Sequence, residues 1–188
     1  MKRKFLLVVA MSLLAAMGVS AQKTATFSGH WTLDPGQSKL GDRARIETMT
    51  MDVVQTPKDI KVDTKTTRAQ RTETPATNPT GAPGGMGRGF GAGFGGGDST
   101  FTYTLDGKET ATQVEGPMGP MPVKLTAKLD AGKLNLSSAR TFTGPNGEIS
   151  IVTKETWSLS PDRKTLTVSR ETTSPRGAAT MDLVFVKK

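Results

Sequence analysis

A chain of 188 residues with no Cys and a single His has room for one core, and no disulfide, thiolate or zinc–thiolate site can support it. Its 25 Lys and Arg against 17 Asp and Glu give a formal net charge of +8, which favours an anionic surface or ligand. The basic residues are spread along the chain rather than gathered into a tract, so nucleic acid is not indicated as a partner.

The N-terminus, MKRKFLLVVAMSLLAAMGVSAQ, has the three parts of a secretory signal. Lys2, Arg3 and Lys4 open it, an apolar run over 5–17 follows, and Val19, Ser20 and Ala21 place small residues where signal peptidase cuts. Residues 1–21 are therefore expected to be a signal peptide cleaved after Ala21. The apolar run is too short to span a bilayer comfortably, which sets this reading against that of a retained membrane anchor. No Cys follows the run to carry a lipid, so no transmembrane or lipid anchor is expected after cleavage. Removing three basic residues leaves 22 Lys and Arg against 17 Asp and Glu, a mature charge of +5. The expected location is the periplasm or the exterior.

Residues 22–188 read as one all-β domain. Thr, Val and Ile dominate, apolar residues alternate, and no stretch sustains a helical period. Ten strands are expected, near 25–33, 46–55, 60–68, 99–105, 108–114, 123–129, 133–143, 148–159, 165–173 and 179–187. Turn chemistry separates them: TPKD after Gln55, Asp106-Gly107, Ala131-Gly132, GPNG at 144–147, PDRK at 161–164 and SPRG at 174–177. The last four turns set registers that pair Leu129 with Leu134, Leu136 with Glu155, Trp157 with Val168, Glu155 with Arg170 and Leu166 with Phe185. All four put apolar residues on one shared face, and such agreement between independent hairpins is strong evidence for the arrangement.

Successive hairpins make an up-and-down antiparallel meander. With ten strands, the first and last can pair antiparallel and close a barrel; an open curved sheet or a two-sheet sandwich is the alternative. Short connections fall at one end. The other end is expected to hold three long ones, over 34–45, 68–98 and 115–122. Ten of the 21 glycines lie between Gly81 and Gly97, flanked by strands of the same sheet. The Gly-rich loop over 75–98 therefore reads as a disordered insertion and not as a linker between domains. Met86, Phe90 and Phe94 at four-residue intervals are its only features that suggest a contact surface.

The stretch FSGHWTLD (27–34) places Gly29 and Trp31 at the start of the first strand, as lipocalins do. Together with YTLDGKE (103–109) and ETWSLSPDRKTLTVSRE (155–171), it resembles a family of small exported bacterial proteins without assigned activity. Those proteins share an F-S-G-x-W-x-L opening and an E-x-W-x-L-S-x-D-x-K-T-L-T segment. The resemblance spans the mature chain apart from the Gly-rich insertion and implies a lipocalin-like (calycin) barrel. The chain differs from lipocalins in lacking the Thr-Asp-Tyr motif, a disulfide and a C-terminal helix, and 34–45 has no room for the helical lid of fatty-acid-binding proteins.

No arrangement of residues suggests an enzyme. His30 has outward parity, no Ser has a His and carboxylate grouped with it, and no cofactor motif is present. Met118 and Met121 stand three apart in PMGPMP, a spacing that Cu(I) sites use, but in a Pro-rich loop they read as loop residues and no metal is expected. The inner face is more informative. Gly29, Trp31, Trp157, Leu166 and Phe185 gather with Leu129, Leu134 and Leu159 at the short-loop end as a barrel floor. Further along come Glu155 opposite Arg170, then Arg140, with Tyr103, Thr64, Thr66 and Arg68 of the same parity. Glu155 and Arg170 can neutralise each other, whereas Arg140 has no carboxylate at its matched position.

Two functions follow. In one, the barrel binds a small apolar or amphiphilic anionic ligand, tail toward the floor, its anionic group received by Arg140 and Arg170 with Glu155 orienting Arg170 and with Tyr103 and Arg68 nearby. In the other, a non-enzymatic envelope protein acts through its long loops by peripheral contact, and the inner charges form a wet, self-satisfied network. A one-residue slip of a strand would turn all three charges to solvent.

Overall fold

The computed structural model describes residues 25–41, 45–69, 98–116, 119–144 and 147–188. Ten strands build one sheet: β1 (Gly29–Leu33), β2 (Ile46–Gln55), β3 (Asp59–Arg68), β4 (Ser99–Thr104), β5 (Thr110–Gly116), β6 (Gly119–Asp130), β7 (Lys133–Gly144), β8 (Gly147–Leu159), β9 (Thr165–Ser174) and β10 (Gly177–Lys187). No helix occurs among the described residues. The signal segment, the insertion with Met86, Phe90 and Phe94, and Met118 lie outside the described residues.

The sheet runs in the order β4-β3-β2-β1-β10-β9-β8-β7-β6-β5, antiparallel throughout. The first and last strands pair as expected, with Trp31 opposite Lys187 and Leu33 opposite Phe185. The result is a nearly closed barrel whose one break lies between β4 and β5, the two ends of the sheet order. Asp106-Gly107, which reads as a tight hairpin turn between these strands, is used differently. The Gly107 N–H donates to Ala127 O at 3.0 Å, and Asp106 bridges to Lys128, both on β6. The connection is thereby drawn onto β6, and among the described residues β4 has a ladder on one side only.

The registers set by the turns are those the alternation requires. Leu129 faces Leu134, Leu136 faces Glu155, Trp157 faces Val168, Arg170 faces Met181 and Phe185 faces Leu166. The Ala131-Gly132 turn has positive φ at both residues, 46° and 79°, the mirror-image turn whose twist matches a two-residue hairpin.

One expected loop is not a loop, and the expected connection after β1 is held against β10. Residues 115–122 belong to a hairpin in which Gln113 pairs with Pro122 and Gly116 with Gly119, leaving only 117–118 between strands. Proline is tolerated there because the ladder from β6 to β7 begins at Val123, so Pro120 and Pro122 break no pairing on that side. Residues 34–41 are also tied down. Asp34 N donates to Val184 O, Lys39 exchanges backbone bonds with Asp182, and Ser38 Oγ accepts from Val184 N. The Asp34 carboxylate accepts from Gln37 Nε2 and from the Gln37 and Gly36 amides, bonds that hold its pKa below the ordinary value.

The core centres on the short-loop end and continues along β2 and β6 as far as Met49 and Val123. Phe27, Trp31, Met49, Ile60, Val123, Leu134, Leu166, Val168, Leu183 and Phe185 have no exposed surface. Gly29 permits the closure of this end. Its φ of 149° is one that side chains rarely adopt, and a Cβ there would stand 2.4 Å from Lys187 Cε. Gly29→Ala is expected to destabilise the protein by about 1–2 kcal/mol. Urea unfolding followed by tryptophan fluorescence measures this, and an unchanged midpoint would show that the backbone relaxes there without cost.

Candidate functional site

The floor is a solid plug. The rings of Phe27 and Trp157 meet edge to face at 6.1 Å, and Trp31 Nε1 donates to Phe27 O at 2.9 Å. Below, the Lys187 ammonium lies 5.2 Å from the Trp31 ring centroid and donates to Ser28 O at 2.8 Å. Trp31, Trp157, Leu166 and Phe185 are at most 1% exposed, so no water-sized space adjoins them. Leu129 and Leu159 pack against this cluster from its rim. The floor is thus filled by the residues whose inward parity placed them there, and a ligand would have to lie above it.

Above the floor lies a charged group whose parts come from four strands. Register places Glu155 of β8 opposite Arg170 of β9, and Arg170 Nε donates to Glu155 Oε1 at 2.6 Å. The other carboxylate oxygen accepts from Trp157 Nε1 at 2.7 Å. Glu155 is thus held from both sides, and Arg170, 7% exposed, is buried with its counter-ion. The ion pair was legible in the sequence. The indole bond was not, although Trp157 stands two residues from Glu155 on the same face and so was within reach of the same reasoning.

Arg140 on β7 shares this face, with Val123 and Ile151 as its cross-strand neighbours and no carboxylate opposite it. Its guanidinium carbon lies 5.4 Å from the centroid of the Phe101 ring on β4. Burial lowers its pKa from the ordinary value, and the neighbouring Tyr103 acts in the opposite sense. Tyr103 is 6% exposed, and its ring meets Phe101 edge to face at 6.1 Å. Burial pushes the Tyr103 phenol well above its usual range; Glu155 adds to the shift, while Arg170 and Arg140 oppose it. Tyr103, Arg140, Glu155 and Arg170 therefore sense one another electrostatically in the interior. Phe101 escaped the sequence reading although it alternates with Tyr103, because its contact with Arg140 crosses the break in the sheet.

Hydroxyls line the same level. Thr64 is buried, Thr153 and Thr172 are 3.3 Å apart, and Thr66 Oγ1 is buried without a partner. Arg68, half-buried at the end of β3 and paired in register with Ile46, stands nearer the long-loop mouth than Arg140's group. Toward that mouth the inner face turns apolar again: Val114, Met121, Phe142, Ile149, Ile151 and Met181 are half-buried. From floor to mouth the interior therefore reads packed apolar, charged, then apolar with partial access to solvent.

Outside the barrel, His30 has the expected outward orientation. Its Nδ1 lies 2.6 Å from Asp52 Oδ1, and both side chains are substantially exposed. A half-open groove of about 360 Å³, lined by Pro57, Lys58, Asp59, Thr104, Leu105 and Asp106, lies at the short-loop end and includes none of the interior residues. Among the described residues, no group of three or more His, Asp or Glu is placed to hold a metal ion. No helix among them is long and apolar enough to cross a membrane.

No protein-family model matches the chain, and no curated protein matches its sequence. Two solved structures are similar over most of its length. Zebrafish ileal bile acid-binding protein, crystallised with cholic acid, aligns with 14% identity and a TM-score of 0.47, covering 86% of this chain and 98% of that one. Fatty-acid-binding protein 1 of Echinococcus granulosus aligns with 10% identity and a TM-score of 0.46, covering 86% and 96%.

Proposed function

We propose that the protein is an exported, non-enzymatic binding protein that takes a small amphiphile with an anionic group into the barrel interior. The observation that carries the reading is Arg140, a partly buried cation on the inner face, flanked by apolar cross-strand neighbours and a buried phenol. Burying a cation is costly unless a charge or hydrogen-bond acceptor compensates it. Arg140 already makes contacts within the protein, and a ligand carboxylate or phosphate reaching it would add charge-assisted hydrogen bonds to them. Arg170 is committed to Glu155 and is assigned here a supporting charge rather than a first contact.

The ligand orientation assigned here is the opposite of the one expected from the sequence. With no space beside Trp31 and Trp157, the anionic head goes inward to Arg140 and Tyr103. The apolar body then lies between Phe142, Ile149, Ile151 and Met121, toward the mouth. Arg68, nearer the mouth, lies along the entry path.

Dodecanoate and dodecanol, which differ only in the head, separate this reading from general hydrophobic binding. Arg140→Ala is expected to weaken dodecanoate about tenfold to a hundredfold in calorimetric titration, leaving dodecanol and the urea midpoint nearly unchanged. Equal dodecanoate affinity in variant and wild type would remove Arg140 from the site. If the wild type bound neither probe, the interior-ligand reading would fall in favour of contacts made by the long loops.

A further inference from the structure

One contact of Arg140 comes from outside its own strand neighbours. Val123 and Ile151 offer it neither charge nor hydrogen-bond acceptor through their side chains, and the ring beneath its guanidinium belongs to β4. In the sheet order, β4 and β7 are separated by the break and by β5 and β6, so this contact crosses the one place where the barrel lacks a ladder. Phe101 is itself held: it is 8% exposed, pairs in register with Val62 and meets Tyr103 edge to face. It is a fixed platform, and the negative face of an aromatic ring attracts a cation most strongly where water is scarce.

We infer that Phe101 is the positioning residue for Arg140: its ring holds the guanidinium at the barrel break, and the preference for an anionic over a neutral amphiphile depends on that ring. The inference rests on the interior-ligand reading for its functional half only. Apolar bulk at position 101 closes the space, whereas an aromatic face also attracts and orients the charge. Selectivity and packing are therefore separable by substitution. Phe101→Leu keeps a buried apolar side chain and removes the ring, whereas Phe101→Trp keeps a ring. Phe101→Met, longer and more adaptable, serves if the Leu variant does not fold.

Two measurements on the full chain test this. The first needs no ligand. NMR of the Arg140 side chain should show protons shifted upfield by the ring in wild type and in Phe101→Trp, and returned toward ordinary positions in Phe101→Leu. The second compares dodecanoate with dodecanol. Phe101→Leu should lose about three- to thirtyfold of the preference for dodecanoate while dodecanol affinity holds, and Phe101→Trp should retain the preference. An unchanged Arg140 spectrum in Phe101→Leu would overturn the positioning role whatever the ligand. Equal weakening of both probes, or an unaltered preference, would reduce Phe101 to packing. An upfield-shifted Arg140 in a wild type that binds neither probe would leave the contact standing, defeat the ligand reading, and remove the selectivity role with it.

Discussion

Glu155→Ala is expected to lower the unfolding free energy by about 3–5 kcal/mol, as breaking a buried ion pair from one side does. The substitution strands two donors together. Arg170, 7% exposed, loses the carboxylate 2.6 Å from its Nε, and Trp157 loses the acceptor 2.7 Å from its indole N–H. Neither can turn to bulk water without opening the barrel. The loss reflects stranded partners more than the strength of the pair, so the double variant Glu155→Leu with Arg170→Met should be closer to wild type than either single change. Urea unfolding of the four proteins decides. A Glu155→Ala loss below about 1 kcal/mol would show that water reaches Arg170 freely.

Trp157→Ala is the second large effect, about 3–5 kcal/mol. Trp157 is 1% exposed and packs on Phe27, which in turn accepts the Trp31 indole bond through its carbonyl. The cavity would therefore open at the centre of the floor, where both tryptophans and the chain's entry into β1 meet. Trp157→Phe separates the two roles of the indole, since it keeps most of the packing and removes only the donor to Glu155. It should cost less than half as much. Similar losses for the two substitutions in urea unfolding would place the energy in the hydrogen bond instead of the packing.

The C-terminal half of the sheet was legible because each turn there fixes a register and each register is checked by burial. From Leu129 opposite Leu134 to Leu166 opposite Phe185, a one-residue slip would have turned Trp157 to solvent. The pairing of Glu155 with Arg170 followed from the same constraint. Residues 115–122 misled because prolines and glycines mark loops. That rule fails where a strand lacks a partner on one side, as β6 does before Val123. The break was hidden for another reason. Asp106-Gly107 carries the chemistry of a hairpin turn, and nothing local shows that Gly107 will bond across to Ala127. The Phe101–Arg140 contact depends on that break and on the curvature of the sheet, neither of which alternation encodes. The residues of the floor were legible by parity, although parity does not show how closely their volumes fill the space.

The central claim is that an anionic head lies inward at Arg140 and an apolar body lies toward the mouth. Adding dodecanoate, ¹³C-labelled at the carboxyl and terminal methyl carbons, to the protein tests it most directly by NMR. The account predicts one saturable, shifted carboxylate resonance that Arg140→Ala abolishes, with the terminal methyl showing contacts to Phe142 and Ile149. A carboxylate that stays at its free position up to the solubility of the probe would contradict it, as would a terminal methyl in contact with Trp157 and Leu166.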